Sequence, residues 1–292
     1  MSTIISFANQ KGGEGKTTLC TTFANYLAEK GERLLVLDCD NQSSISEKRH
    51  SDEQKYSTAT FSYNVQRFDI ADADKASALM QQVKAVEGIT LIDTPGHLSR
   101  QGLLPLFIYS DIIVCPYFYD AASLQSTVTF LKFVEVLKSK VPIMQTQVVL
   151  VPNRYDKRIG KKEELQLWDE TDKAFACYGE VLPRISNKAD MMRYNTLSLL
   201  DSQSTIIQPT YNRLYEILQQ RRKGERKIMF EMNLVAKNVE IRGREKKVSQ
   251  SQGKEYLIVR VEDEAGRSSE LYDPNIANEG LYVKGTTGDF FL

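Results

Sequence analysis

The chain has 292 residues, 41% of them hydrophobic and 26% charged, the balance of a globular protein with room for one large domain and a small one. Its 38 Lys and Arg residues are matched by 38 Asp and Glu, so any affinity for nucleic acid has to come from a local patch. No apolar run approaches the roughly 20 residues that span a bilayer and no basic leader precedes a greasy stretch, which predicts a cytoplasmic chain with no membrane partner.

A first apolar run predicts a strand over 3–8. It opens onto Gln10-Lys11-Gly12-Gly13-Glu14-Gly15-Lys16-Thr17-Thr18 and a helical pattern over 16–29, the strand–loop–helix order of a phosphate-cradling loop. Glycines let successive backbone N–H groups turn toward phosphate oxygens, and the helix N-terminus adds partial positive charge at the same point. Lys16 is then placed to reach the β- and γ-phosphates and the Thr17 hydroxyl to hold Mg²⁺. The backbone of Gly12, Gly13, Glu14, Gly15 and Thr18 completes the cradle.

The next apolar runs, 33–38 and 89–93, lead into Asp38-Cys39-Asp40 and Asp93-Thr94-Pro95-Gly96. Such runs suit strands buried on both faces, and carboxylates at their ends project where open α/β sheets bind ligands. Between them lies 41–62, polar and without clear periodicity, read as an insertion near the site, then a strand over 63–68 and a helix over 74–86. Further strands are expected over 111–116, 146–151 and 181–183, and helices over 120–138, 161–177 and 203–222. This alternation predicts an α/β fold, a Rossmann-like, doubly wound and mostly parallel sheet.

In this order and spacing the motifs resemble the ParA/MinD superfamily of deviant-Walker ATPases, whose loop reads Lys-Gly-Gly-x-Gly-Lys-Thr-Thr, and within it the compact ParA-type partition ATPases. The resemblance implies a P-loop NTPase that binds ATP and Mg²⁺, forms a homodimer with ATP and hydrolyses it slowly to partition or position DNA or another cargo. It implies that Lys11 reaches across the dimer to the partner's nucleotide and that Asp93 holds the metal through water. It also implies that Thr94-Pro95-Gly96 senses the γ-phosphate, that Asp40 orients the attacking water and that Asp38 organises the metal shell. Asn153, in Val151-Pro152-Asn153-Arg154, matches the residue beside the adenine base, where its donor and acceptor suit an amino-purine edge. A turn-forming Asn is the alternative reading. Nonspecific DNA binding is implied through basic residues in the later part of the domain, with Arg184, Lys188, Arg193, Arg213, Arg221, Arg222 and Lys223 as candidates. A separate adaptor that reads the centromere is implied as a further partner.

Glu14 departs from the resemblance, since family members carry a small or aliphatic residue there. At an effective dielectric of about 20, like charges a few ångströms apart repel by several kcal/mol. With the rest of the motif intact, Glu14 is expected to point outward, toward the partner subunit or solvent. Cys20, Cys39, Cys115 and Cys177 have no metal-ligand spacing and are expected to be buried free thiols. Two other classes compete with the partition reading: an amidoligase-like synthetase with a small-molecule pocket, and a nucleotide-binding interaction module with little turnover. Turnover stimulated by DNA separates the first reading from both.

The charged run Arg221-Arg222-Lys223-Gly224-Glu225-Arg226-Lys227 is read as a boundary after the last helix, closing an ATPase domain over 1–223. Beyond it, 224–292 alternates apolar and polar residues between turn-like segments, which predicts a small β-rich domain of unknown role. Phe230, Tyr256, Tyr272, Tyr282, Phe290 and Phe291 could stack on bases, but most of them are expected to form part of its core.

Overall fold

The computed structural model describes residues 2–97, 101–248, 255–262, 266–273, 284–285 and 287–291. The chain divides into two compact units, Met1–Gln220 and Arg221–Leu292.

In the first unit strands and helices alternate: β1 (Ser2–Phe7), α1 (Lys16–Glu29), β2 (Leu34–Asp38), α2 (Ser44–Lys55), β3 (Asn64–Arg67), α3 (Ala73–Ala85) and β4 (Gly88–Asp93). Then follow α4 (Leu103–Tyr109), β5 (Ile112–Tyr117), α5 (Ala121–Lys140), β6 (Gln147–Pro152), α6 (Lys162–Phe175), β7 (Glu180–Val181) and the start of α7 (Asp201–Asn233). The strands form one seven-stranded sheet in the order β3-β2-β4-β1-β5-β6-β7, and every pairing in it is parallel. Successive side chains of each central strand enter opposite cores. Ile5 and Phe7, Val36, Leu91, Val114 and Val149 face one layer with α1 and α7, while Ile4, Leu37, Ile92, Ile113 and Leu150 face the other with α3, α4 and α5. That two-sided burial is why these strands read as unbroken apolar runs.

β1 lies between β4 and β5, and the later strands extend outward on both sides. The carboxyl end of β1 therefore opens at the topological switch point, where sheets of this kind bind ligands. α1, which carries the end of the loop, is held from behind by Tyr211 of α7. The Tyr211 hydroxyl donates to Leu19 O at 3.0 Å and shares a 2.7 Å hydrogen bond with Thr22 Oγ1. Its ring meets Phe23 edge-on at 5.0 Å.

Two expectations are corrected and one helix is added. The polar segment 41–62 contains a helix, α2, whose buried residues are Ile45, Arg49 and Asp52. They recur at helical spacing, but two of the three are charged, so no apolar stripe marked them. A short helix, α4, follows the described part of the β4 loop, with Pro105 tolerated in its first turn. The last helix, expected over 203–222, does not end at the charged run 221–227: α7 continues through it to Asn233. Arg, Lys and Glu are good helix formers, and a single glycine costs only about 1 kcal/mol in a helix interior.

The second unit holds a four-stranded antiparallel sheet, ordered β10-β9-β8-β11, built from β8 (Leu234–Val248), β9 (Glu255–Glu262), β10 (Ser268–Asp273) and β11 (Thr287–Phe291). Along β9, Leu257, Val259 and Val261 are buried, while Arg260 between them pairs with Glu245 and Glu270. This is the period-two alternation of a sheet with one covered face. The side chains of Phe230, Tyr256, Tyr272, Tyr282, Phe290 and Phe291 lie outside the described residues. Among the described residues no helix is long and apolar enough to cross a membrane.

Candidate functional site

The loop 10–16 turns from β1 into α1 through two left-handed glycines, Gly13 at φ 83° and Gly15 at φ 91°. Gly15 is doubly constrained, because a Cβ there would stand 2.4 Å from Nδ2 of Asn153. Lys16 is buried within the loop, and its Nζ donates to Lys11 O at 3.0 Å. Burial lowers the Lys16 pKa, against the raising pull of Asp93 and Asp40. A desolvated ammonium beside inward-turned amides is a ready counter-charge for a phosphate.

The carboxylates come from adjacent strand ends, with Asp38 and Asp93 in register across β2 and β4. The Thr17 hydroxyl donates to Asp93 Oδ2 at 2.7 Å. Asp38 Oδ2 accepts the Ser46 N–H at 2.8 Å and so caps the first turn of α2. The other oxygen of each acid, Asp38 Oδ1 and Asp93 Oδ1, is buried with no hydrogen-bond partner among the described residues. Burial pushes the Asp93 carboxyl up to about 7; the Thr17 bond opposes this, and Asp38 adds to it. Two orphaned acid oxygens and a hydroxyl at one point are a donor set suited to Mg²⁺, which takes one or two carboxylates and fills its remaining positions with water and phosphate oxygens. Among the described residues no group of three or more His, Cys, Asp or Glu could hold a metal ion alone.

Asp40 starts a tight turn. Its Oδ1 accepts the Gln42 N–H at 3.1 Å and its carbonyl accepts the Ser43 N–H at 2.9 Å. After Asp93, the Thr94 hydroxyl donates to Phe7 O at 2.8 Å. Gly96 packs so closely on the loop that a Cβ would lie 2.8 Å from the N and Cα of Gly12. The segment implied to sense the γ-phosphate is thus in direct backbone contact with the phosphate loop.

Glu14 overturns the expectation that it points outward. Its side chain is 0% exposed, and its Oε2 accepts the Ser123 hydroxyl of α5 at 2.8 Å. Burial raises its pKa, a shift that the Ser123 bond and Lys11 oppose. Lys11 turns back over its own subunit, with Nζ 3.3 Å from Asp120 Oδ1 and 3.8 Å from Glu14 Oε1. Sequence reasoning missed Asp120 and Ser123 as neighbours of the loop. Their spacing is that of an N-cap and its third helical residue, a signal that reports only where α5 begins.

Asn153 braces the loop: Nδ2 donates to Glu14 O at 3.1 Å, and Oδ1 accepts the Arg154 N–H at 2.9 Å. It also lines a cleft together with Gly15, Thr18, Lys188, Met191 and Met192. The candidate basic surface is not a single set. Arg184 is committed to Asp169 and Asp172 at 2.7 and 2.6 Å, and its guanidinium lies over the rings of Tyr119 and Tyr155. Arg213 is bound to Glu180 and Glu216 at 2.6 and 2.7 Å. Both therefore brace α6, β7 and α7 within the fold. Lys188 faces the cleft, and Arg193 is 73% exposed beside Asp190. Cys20, Cys39 and Cys115 are buried free thiols, whereas Cys177 is exposed.

Residues 5–197, more than half of the chain, match the family described as CobQ/CobB/MinD/ParA nucleotide binding domain. A ParA family protein of Mycoplasma pneumoniae is 23% identical over 258 residues, which cover 73% of this chain and 93% of that protein. Among solved structures, apo McdA of Cyanothece superposes with a TM-score of 0.60 at 16% identity, covering 75% of this chain and 100% of that one. A putative plasmid partition protein of Borrelia burgdorferi B31 bound to AMPPNP gives a TM-score of 0.56 at 17% identity, covering 76% and 100%. At these identities the structural likeness establishes the fold.

Proposed function

The chain belongs to the CobQ/CobB/MinD/ParA nucleotide-binding family, and from that membership we propose that it is a ParA-type ATPase switch that dimerises with ATP to partition or position DNA or another cargo in the cytoplasm. The observation that carries the reading is the pairing of Thr17 with Asp93 at the mouth of the loop, beside the spare oxygens of Asp93 and Asp38. In this reading Lys16 and the N–H groups of residues 12–18 bind the phosphates. Thr17 and Asp93 hold Mg²⁺, which supplies charge neutralisation at the transferring phosphate. Asp40 orients the attacking water, and Lys11 serves the nucleotide of the partner subunit. Positioning and electrostatic stabilisation are the main demands of phosphoryl transfer, so the absence of a nucleophilic side chain from this set is no obstacle.

Residues 1–223 act as the ATPase domain and 224–292 as an accessory domain. Asn153 serves the base indirectly, by fixing the loop and one wall of the cleft. Relatives named for plasmid partition and for the ParA family support a DNA cargo. Arg184 and Arg213 are engaged inside the fold, so within the first unit the DNA surface would draw on the exposed Arg193, and an adaptor protein would be supplied by a second chain. The test is ATP turnover with and without nonspecific double-stranded DNA across a salt series. Slow turnover that rises with DNA, an effect that fades as salt increases, supports the reading. Turnover indifferent to DNA at every salt concentration contradicts the DNA cargo.

A further inference from the structure

We propose that Glu14 is a positioning residue which, together with Asp120, latches Lys11 inside its own subunit and so limits how strongly ATP draws two copies together. The proposal rests on the reading that Lys11 acts across a dimer interface.

Glu14 is fixed at both ends. Its carbonyl accepts the Asn153 amide at 3.1 Å and its Oε2 accepts the Ser123 hydroxyl at 2.8 Å. With the side chain 0% exposed, the carboxylate has no room to turn to solvent. The remaining oxygen, Oε1, is buried without a hydrogen-bond partner among the described residues and faces Lys11 Nζ at 3.8 Å. Asp120 is held with equal definition. Its Oδ1 accepts the Ser123 N–H at 3.0 Å and also receives Lys11 Nζ at 3.3 Å. One residue, Ser123, thus orients both acids around a single ammonium. The neighbouring cation, Lys16, is already committed to Lys11 O at 3.0 Å.

When Lys11 leaves to meet a phosphate in the partner subunit, Glu14 keeps its buried charge and loses its counter-ion. Removing one partner of a buried pair is unfavourable because the charge left behind is uncompensated. An aliphatic residue at this position imposes no such cost. Lys11 is 38% exposed, so solvent screens the pair and each latch is worth about threefold in equilibrium constant. A symmetric dimer opens two latches, and the effects multiply to about tenfold.

The experiment compares the full chain with Glu14→Gln, which keeps the shape and the Ser123 bond, and with Glu14→Val. Thermal melts first establish that each variant is folded. Sedimentation velocity with AMPPNP and Mg²⁺ then gives the dimer constant, and acetic anhydride labelling of the nucleotide-free chain gives the reactivity of each lysine. The expected result is a dimer tighter by about tenfold in both variants, with Lys11 labelled about threefold faster and distant lysines unchanged. A dimer that is present but indifferent to both substitutions, or Lys11 labelling that does not rise, overturns the latch alone. Faster Lys11 labelling with no association in any variant contradicts the trans role of Lys11, and the latch loses its function with it.

Discussion

At Gly15 two demands meet in one residue: a left-handed backbone and contact with the amide of Asn153. Gly15→Ala is expected to weaken ATP binding by at least about tenfold and to cost about 1–3 kcal/mol of stability, measured by calorimetric titration and urea unfolding. Thr17→Val removes the hydroxyl that Asp93 accepts while keeping the volume. Its turnover should fall by roughly 100-fold, and the buried Asp93 left without its donor should cost about 1–3 kcal/mol in urea unfolding; chelation of Mg²⁺ should abolish turnover in the parent chain. The residues of this loop were legible in the sequence because their chemistry is local, set by glycine spacing after a strand. The direction taken by Glu14 was not, because its hydrogen-bond donor, Ser123, lies more than 100 residues away in the chain, as does Asp120, which holds Lys11 beside it. A lone carboxylate in a phosphate loop suggests repulsion, and only the fold supplies the serine and lysine that let it turn inward.

Among the elements, α2 links the two sides of the site. Its first turn is capped by Asp38, and its middle is clamped to the segment that follows the cleft residues Met191 and Met192. Arg49 donates to Thr196 Oγ1, Thr196 O and Tyr63 O at 2.8 to 3.0 Å, and lies over the rings of Phe61 and Tyr63. Arg49→Ala leaves those buried acceptors without their donor and is expected to cost about 3 kcal/mol in urea unfolding. Asp52 accepts from the N–H and hydroxyl of Thr196 and from Lys48. Burial opposes its charge, but these bonds outweigh it and lower its pKa. Its stabilising contribution is therefore complete above about pH 4 and is lost as pH falls through the folded-state value. Unfolding free energies of the parent chain should fall between pH 5 and pH 2.5 more steeply than those of Asp52→Asn. This helix escaped the sequence reading because its buried face is polar, whereas α1 and the sheet strands bury apolar residues at the periods that sequence patterns reveal. The end of α7 was misplaced for the opposite reason, since charged residues were read as a boundary beyond the helix although they favour helix.

For the whole molecule, the parallel order β3-β2-β4-β1-β5-β6-β7 brings the ends of β1, β2 and β4 side by side. Residues 10–18, Asp38, Asp40 and Asp93, scattered over more than 80 positions of chain, thereby become one site. The strand–helix alternation announced this architecture, since apolar runs separated by helical stretches leave few other ways to bury both. The second unit was legible only as β-rich, and its strand order follows from pairings that no local signal encodes. The claim on which the functional account depends is that nucleotide drives two copies of this chain together. Sedimentation velocity of the parent chain with no nucleotide, with ADP and Mg²⁺, and with ATP and Mg²⁺ tests it most directly. The account predicts a monomer in the first two conditions and a dimer in the third, lost when Lys16 is replaced by Ala. The same sedimentation coefficient in all three conditions would contradict it.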